Sequence, residues 1–485
     1  KREITGAISA IKPAELGASV SSSIDAAMQG RMSGVNIQSS IGIPGAGITV
    51  RVRGVGSISA GNDPIYVLDG VVFNSQETSH TISTNALSVI NPEDILSIEV
   101  LKDVYGAQAA NGVILITTKR GRAGKTNVNF SYRLGQVSPV KMLDVLNSQD
   151  FLNARFEAVR NRRAPGWTEQ RIREEVLRLS GLPLNMTDEE IAALPTYDWQ
   201  GASYRTGTSH KYDLSVDGGS EKSQYRIAFG YEDTDGPIIA SNFKRGSANM
   251  NYTNQLTDKI SLTSVVNLST VKQAGPLGSQ GTSTQFSAPA YASPMILPHI
   301  PIYLENGELN VDYSGFPGTF KRNVIHSSLL NEHTEKSNSL LANMKLNYQI
   351  LDNLSYRLVF GLDYRDQDSR TFYDPRTSDG YSSKGILNEW EENPVSFTNT
   401  HVVTYDAKLN GEHKLKSLAG VEYYSYSRES ASRSGQGFPT FQFRTMQSAA
   451  LITEASGSWT GYKRLGSFIQ ANYTYGKKFM LSGIL

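Results

Sequence analysis

Residues 340–364 read Leu-Leu-Ala-Asn-Met-Lys-Leu-Asn-Tyr-Gln-Ile-Leu-Asp-Asn-Leu-Ser-Tyr-Arg-Leu-Val-Phe-Gly-Leu-Asp-Tyr. Leu340, Ala342, Met344, Leu346, Tyr348 and Ile350 alternate with mostly polar residues, and so do Leu354, Tyr356, Leu358, Phe360, Leu362 and Tyr364. A period of two puts one set of side chains on each face of a strand. The stretch is therefore two strands joined at the tight turn Leu351-Asp352-Asn353, with one face toward an apolar medium and the other toward water.

The same rule runs through the chain from Val128 onward. It appears in Val128/Phe130/Tyr132/Leu134, Tyr212/Leu214/Val216, Tyr225/Ile227/Phe229/Tyr231, Ala248/Met250/Tyr252 and Ile260/Leu262/Val266/Leu268. It returns in Val403/Tyr405/Ala407/Leu409, Leu415/Ala419/Val421/Tyr423, Leu465/Ile469/Ala471/Tyr473 and a run from Phe479. Eleven strands result, most near the roughly ten residues that cross a bilayer at a tilt. Polar turns at Gly218–Lys222, Gln255–Asp258, Gly411-Glu412 and Gly476-Lys477 close one end, while stretches expected to be long loops (137–208, 272–337, 367–400 and 429–462) join the other. A soluble β-sandwich has no reason to sort its connections this way, but an outer-membrane barrel does. Barrels of this kind close with even strand numbers, and open edges in lipid are costly. An odd count, with Leu485 inside a strand, leads to the expectation that further strands follow.

Composition narrows the classes. Lys plus Arg is 47 against 46 Asp plus Glu in 485 residues, a net charge of +1. Such a balance lacks the basic surface that nucleic-acid binding needs. With no Cys, disulfides, thiolate metal sites and cysteine nucleophiles are excluded. No run approaches the roughly 18 apolar residues of a spanning helix. The 24 Tyr and 43 Gly fit a barrel with aromatic girdles.

Residues 1–126 follow another pattern, that of a small α+β domain with short strands and glycine turns. Its strand candidates are Ile48–Arg53, Pro64–Leu68 closed by Asp69-Gly70, Ile95–Leu101 and Gly112–Thr118, with a short helix somewhere in Leu16–Val35 carrying Ile24, Ala27 and Met28 on one face. Catalytic motifs fail on inspection. Gly121–Thr126 lacks the first glycine of a phosphate loop, because position 119 is Lys, and it precedes a strand. Gly54-Val55-Gly56 lacks a third glycine, Ser59 standing in its place. The seven His show no metal-binding spacing. No enzyme, cofactor or metal site is expected. A helical pattern in 142–180 (Leu143, Leu146, Phe151, Leu152, Phe156, Val159), interrupted at Pro165, reads as an amphipathic element on the loop side. The stretch Phe286–Tyr303 fits either ligand contact or loop packing.

Gln29–Val35, Arg51-Val52-Arg53-Gly54, Asn62–Gly70, Glu99–Asp103 and Tyr105–Ile114 stand in the order found in one family. The first 126 residues resemble the plug of SusC/RagA-type TonB-dependent transporters, and the hairpins after Val128 continue the resemblance. It implies a mostly β protein: a transmembrane antiparallel barrel of 22 strands, eleven of them here, around an N-terminal α+β plug. The domains expected are a plug at 1–126 and a first half-barrel at 127–485. Three departures stand out. Only Val104 separates Asp103 from Tyr105, where the family has a small-residue run, so either a loop is deleted there or, the favoured expectation, residues are absent from the chain. The box that contacts TonB and the second half-barrel are also expected to lie outside these residues.

The resemblance further implies TonB-dependent import of an oligomeric nutrient, foremost an oligosaccharide, in the outer membrane of a Gram-negative cell. The partners it implies are TonB with ExbB–ExbD, outer-membrane lipid and a SusD-like surface lipoprotein, with a dimer of transporter–lid pairs as a further option. Oligopeptide cargo and a non-transporting surface adhesin are the alternatives. By resemblance, Arg51, Arg53 and Lys102 are cations suited to pair with carboxylates of the barrel lumen. Gly54, Asp69, Gly70, Asp103, Tyr105, Gly106, Asn111 and Gly112 complete the plug motif, its glycines serving turns and close packing. The candidate substrate-binding residues are Ser59, Asn62, Asp63, Asn74, Gln76 and His80, on loops that touch the ligand in related transporters.

Overall fold

A computed structural model describes residues 8–11, 24, 28–39, 42–52, 54, 62–73, 84–101, 111–163, 166–276, 288–311, 322–408, 412–476 and 479–484. Seven short strands come first: β1 (Ile8–Ile11), β2 (Val35–Ser39), β3 (Ile48–Val52), β4 (Ile65–Leu68), β5 (Val71–Phe73), β6 (Ile95–Leu101) and β7 (Val113–Thr118). They form a five-stranded sheet in the order β1-β6-β7-β4-β5 and a β2–β3 ribbon. The β4–β7 pair is parallel and its neighbours are antiparallel. Leu68, Ile98, Val100 and Ile114 are fully buried in the core beside Ile24 and Met28, which are helical. The rest of the helix expected before Val35, including Ala27, lies outside the described residues.

Eleven strands follow, all but the last longer: β8 (Gly124–Val137), β9 (Gly207–Gly219), β10 (Ser223–Asp235), β11 (Asn242–Thr257), β12 (Ile260–Ala274), β13 (Glu332–Leu351), β14 (Leu354–Tyr373), β15 (Ile386–Lys408), β16 (His413–Gln436), β17 (Leu451–Tyr475) and β18 (Phe479–Ile484). They make one curved meander in which each strand pairs with its chain neighbours. Three successive rows of register partners show how the outer face changes along the strands. Phe130, Leu214, Phe229, Ala248, Leu268, Leu340, Tyr364 and Val395 form an apolar row. Two residues toward the loop end stand Tyr132, Tyr212, Tyr231, Gly246, Thr270, Asn338 and Asp366. Two further on stand Leu134, His210, Asp233, Lys244, Lys272, Lys336, Asp368 and Glu391. An apolar belt thus gives way to aromatic and amide groups and then to charge, the sequence of media met on leaving a bilayer.

Two of the long loops expected from sequence are corrected. β14 runs to Tyr373 and β15 starts at Ile386, so 367–400 is mostly paired strand and the connection is only 374–385. β16 runs to Gln436 and β17 starts at Leu451, leaving 437–450 in place of 429–462. Beyond the apolar belt both faces of a strand meet water, so the alternation fades while the ladder continues. Cross-strand ion pairs replace apolar pairs there, as at Arg433–Glu389 (2.8 Å) and Arg370–Glu389 (3.5 Å).

The connections before β9 and β13 are long and folded. The first holds α1 (Ser148–Arg163), α2 (Glu169–Leu179), α3 (Asp188–Ala192) and α4 (Trp199–Ser203). Leu152, Val159, Ile172, Val176 and Leu177 bury one another between α1 and α2, and Thr168 caps α2 through the Arg171 amide. Leu143 and Leu146, expected within the helical pattern, precede α1 and are exposed; Pro165 lies outside the described residues. In the second connection, which carries α5 (Pro289–Ala292) and α6 (Val324–Leu330), Ile296, Leu297 and Ile300 pack on Trp199 of the first, whose indole Nε1 donates to the Ile300 carbonyl at 3.0 Å. For these residues of the Phe286–Tyr303 stretch, loop packing is the role observed.

His299 ties the two connections together. Its Nε2 lies 2.9 Å from the Ser180 carbonyl, an acceptor, so Nε2 carries the proton and buried Nδ1 has none. Burial foremost, then the nearby Arg155 guanidinium, pushes its pKa below the ordinary value against the pull of that hydrogen bond. A folded-state pKa below the unfolded one gives stability that is full above the unfolded pKa and lost as pH falls through it. Half-buried His326 is shifted the same way. Limited proteolysis of 138–206 should therefore quicken between pH 7.5 and 5.5, with a weaker dependence in His299→Gln, whose neutral amide still reaches Ser180. Equal pH dependence in the two proteins would refute this.

Candidate functional site

Among the described residues, the plug meets the wall along a seam whose densest part is the turn Asn91-Pro92-Glu93-Asp94. Asn91 caps a single 3-10 turn by accepting from the Glu93 amide, and Pro92 occupies its first position. That turn aims three polar side chains at the inner face of the first wall strands. Asp94 accepts from Arg226 of β10 at 2.8 Å, with both side chains at least nine-tenths buried, and the same guanidinium reaches Asn249 of β11 at 3.3 Å. Arg133 of β8 pairs with Glu93 (2.6 Å) and with Asp213 of β9 (3.3 Å), and the Asn91 amide donates to Asp213 at 2.8 Å. Burial pushes the Asp94 carboxyl above the ordinary carboxylate value, while Arg226 pulls the other way.

A second anchor lies one turn earlier. Arg245 of β11 donates to the carbonyls of Ser88 (3.0 Å) and Ile90 (3.4 Å), at the end of the 3-10 turn Ala86–Val89. Its charge is balanced from the wall by Glu232 at 2.7 Å, which also takes Lys211 at 3.3 Å. These groups are almost fully buried, so each charge is held in place by another.

The third anchor is a notch. The β4–β5 hairpin turns through Asp69 (φ 50°) and Gly70 (φ 96°), the left-handed pair of a type I′ turn. The Asp69 carboxylate holds the end of β7, accepting from the Thr118 amide (3.0 Å) and hydroxyl (2.7 Å), and burial raises its pKa. The Asp69 carbonyl points outward and accepts from Asn343 of β13 at 2.5 Å. Gly361, the register partner of Asn343, leaves room for Val71, which a Cβ would approach to 2.5 Å. Arg365 lies 4.1 Å from the centre of the Phe73 ring. Apolar wall residues Phe243, Val271 and Leu341 complete the contact.

Of the plug cations expected to meet lumen carboxylates, Arg51 pairs instead within the plug, with Asp63, while Arg53 and Lys102 lie outside the described residues. Among the described residues the seam mostly sets plug carboxylates and carbonyls against wall arginines, with the Asn91 amide donating to Asp213 the other way. Asp63, a candidate substrate residue, is engaged by that pair, and Asn62 precedes it. Gly54 and Gly112 both have left-handed φ, 96° and 85°, and a Cβ on Gly112 would press on Val52 at 2.9 Å. Asn111 stands in the turn before β7. Ser59, Asn74, Gln76, His80, Arg53, Lys102, Asp103, Tyr105 and Gly106 lie outside the described residues. The wall arginines Arg133, Arg226 and Arg245 were missed. Their only signal is a full charge at an inward position of a strand that otherwise alternates.

Two outcomes are expected in the complete protein. Asp94→Ala leaves Arg226 buried without its carboxylate and should weaken plug docking by about 3–5 kcal/mol, read as lost hydrogen-exchange protection in β6 and β7. Unchanged protection would show that the pair does not anchor the plug. Gly361→Ala should loosen the β4–β5 hairpin, whereas Gly466→Ala, with nothing within 4 Å of its Cβ, should not. Equal effects of the two would exclude the notch.

Known proteins place this geometry. The family model for the TonB-dependent Receptor Plug Domain matches residues 1–113. TonB-dependent receptor P3 of Formosa agariphila is 28% identical, the match covering 99% of this chain and 45% of that protein. TonB-dependent receptor SusC of Bacteroides thetaiotaomicron is 32% identical over 52% of this chain and 23% of its own. The structure of the RagAB peptide importer in its closed-closed state superposes with a TM-score of 0.80 at 21% identity, over 99% of this chain and 54% of that one. The ferric citrate transporter FecA gives 0.54 at 10% identity, over 99% and 59%. The chain thus spans about half the length of the curated receptors that it matches end to end. The first 113 residues thus match the TonB-dependent receptor plug, and the chain as a whole is similar to SusC/RagA-type TonB-dependent receptors in sequence and in fold.

Proposed function

We propose that this chain is the plug and half of the wall of an outer-membrane transporter that imports an oligomeric nutrient under TonB drive. The observation that carries the proposal is the polar seam. Each direct hydrogen bond there is worth roughly 0.5–1.5 kcal/mol net, and 1.5–3 where a charge takes part. Asp94, Glu93, Asn91, Arg245, Asn343 and their partners together amount to something on the order of 10 kcal/mol by that count. Thermal motion rarely opens such a contact, yet water can replace each of its bonds. A plug held this way needs an outside pull to move and reseats when the pull ends. An outer membrane has no nucleotide supply of its own, so the pull comes through TonB with ExbB–ExbD.

The folded connections before β9 and β13 lie at the end where a SusD-like lipoprotein lid would rest, and lid and plug then act as two gates around one cargo. An oligosaccharide is the first reading of that cargo. An oligopeptide is the second, favoured by the likeness to the RagAB peptide importer. The relatives are receptors and not enzymes, and no catalytic step is assigned.

The test is native mass spectrometry of the complete protein, extracted gently from its own outer membrane. A co-purifying lipoprotein and ligands spaced by sugar masses are expected. A peptide ladder would replace the cargo, and recovery of a lone soluble chain would overturn the transporter reading.

A further inference from the structure

The outer wall carries one feature that plug and transport leave unused. Lys244, Lys272 and Lys336 stand in register on β11, β12 and β13, all three exposed. Neighbouring strands lie about 4.8 Å apart, and like charges directly opposite one another destabilise a sheet. Lys244 is relieved by Asp233 at 2.8 Å, and Lys336 has Asp368 in register on its far side. Lys272 has a lysine in register on each side. Across β10–β15 the row balances, three lysines against Asp233, Asp368 and Glu391, and its local positive excess sits at Lys272 on β12. It ends sharply at β14, where Asp366 and Asp368 turn the surface acidic and are followed by Glu391 on β15.

Just below this row the outer face has a shallow, open depression. Gly246 and Ala248 stand where β10 carries Tyr231 and Phe229. The missing bulk leaves an open groove of about 440 Å³, lined by Gly246, Ala248, Leu268, Thr270, Leu340 and Tyr364. Its exposed lining is mostly apolar, with Ser247, Ser269 and Ser339 between the apolar residues, and at the rim nearest the lysines Thr270 donates to Asn338 at 3.0 Å. Two residues along a strand tilted by 35–45° climb about 5 Å. The ammonium row thus sits about 5–10 Å nearer the loop end than the groove.

We propose that β11–β13 form a seat for a phosphorylated, acylated lipid of the outer leaflet, its phosphate on Lys272 and Lys336 and an acyl chain in the groove beneath. This rests on the outer-membrane reading given above. Charge complementarity argues for the occupant: lysine binds phosphate as a compact point charge, and the phosphate supplies the counter-charge that Lys272 has from neither register partner. The stacking of cations over a depression in the apolar belt matches a headgroup over a chain. A protein partner would need the groove to lie above the belt, and it lies within it.

The experiment uses the complete protein, stripped of lipid and placed in phosphatidylcholine nanodiscs containing a minor fraction of bisphosphorylated lipid A, with retained lipid counted by native mass spectrometry. Lys272→Ala with Lys336→Ala should lower retention about 25-fold, since a lysine near an anionic lipid surface contributes about a factor of five. Ala248→Phe fills the groove without touching the charges and should lower it as well. Lys259→Ala, at the turn end, should not. Retention by the double variant equal to the parent overturns the seat. A loss on removing the lysines with none in Ala248→Phe overturns the acyl half of it. Insertion into nanodiscs, read beforehand as heat-modifiable electrophoretic mobility, separates failure of the seat from failure of the membrane reading, which would take the seat with it.

Discussion

A backbone amide in an apolar layer has no water to bond to, and the whole wall is organised around that fact. From β9 to β17, every strand finds partners on both sides in its own chain neighbours, so no amide row depends on a distant segment. The meander fixes the register, and register with a period of two fixes which side chains face out. Once Phe130, Leu214, Phe229 and Ala248 share a row on the outside, Asp213, Arg226 and Asn249 must lie inside. The polar lumen follows from the pairing that the apolar surroundings impose.

The plug meets that lumen on its own terms. Its core is apolar and closed, with Ile98, Val100 and Ile114 fully buried, while the turns that leave the sheet present carbonyls and carboxylates. The wall answers with arginines, which deliver several donors from one planar group and stay charged at any working pH. Arg245 shows the economy of this: two plug carbonyls and Glu232 share one guanidinium. The wall also gives way where the plug is bulky. Gly361 sits opposite Val71 and Gly230 opposite Asn91, so shape and charge are matched at the same few strands.

Much of the wall was legible because its signal is local. Alternation in Leu340–Tyr364 needs only neighbouring residues, and the eleven strands, the turn at Asp69-Gly70 and the family likeness of the plug could be read in that way. The outer reaches of β14–β17 were not, because a strand wet on both faces has no period to read; Ser430, Ser432 and Ser434 of β16 look like loop. The seam was illegible for a different reason. Asp94 and Arg226 are 132 positions apart, and neither differs in type from an ordinary surface charge. Arg51 shows the converse, since its place beside a plug motif pointed to the wall while the nearer Asp63 claimed it.

The distance along the chain between Asp69 and Asn343, 274 residues, also bears on how the molecule is put together. The hairpin that fits the notch finds its seat only where β13 and β14 are paired, whereas the Asn91–Asp94 turn needs nothing beyond β8–β11. Seating the hairpin therefore closes a far longer loop of chain than seating the turn, and the notch is the contact whose loss leaves the rest of the seam standing.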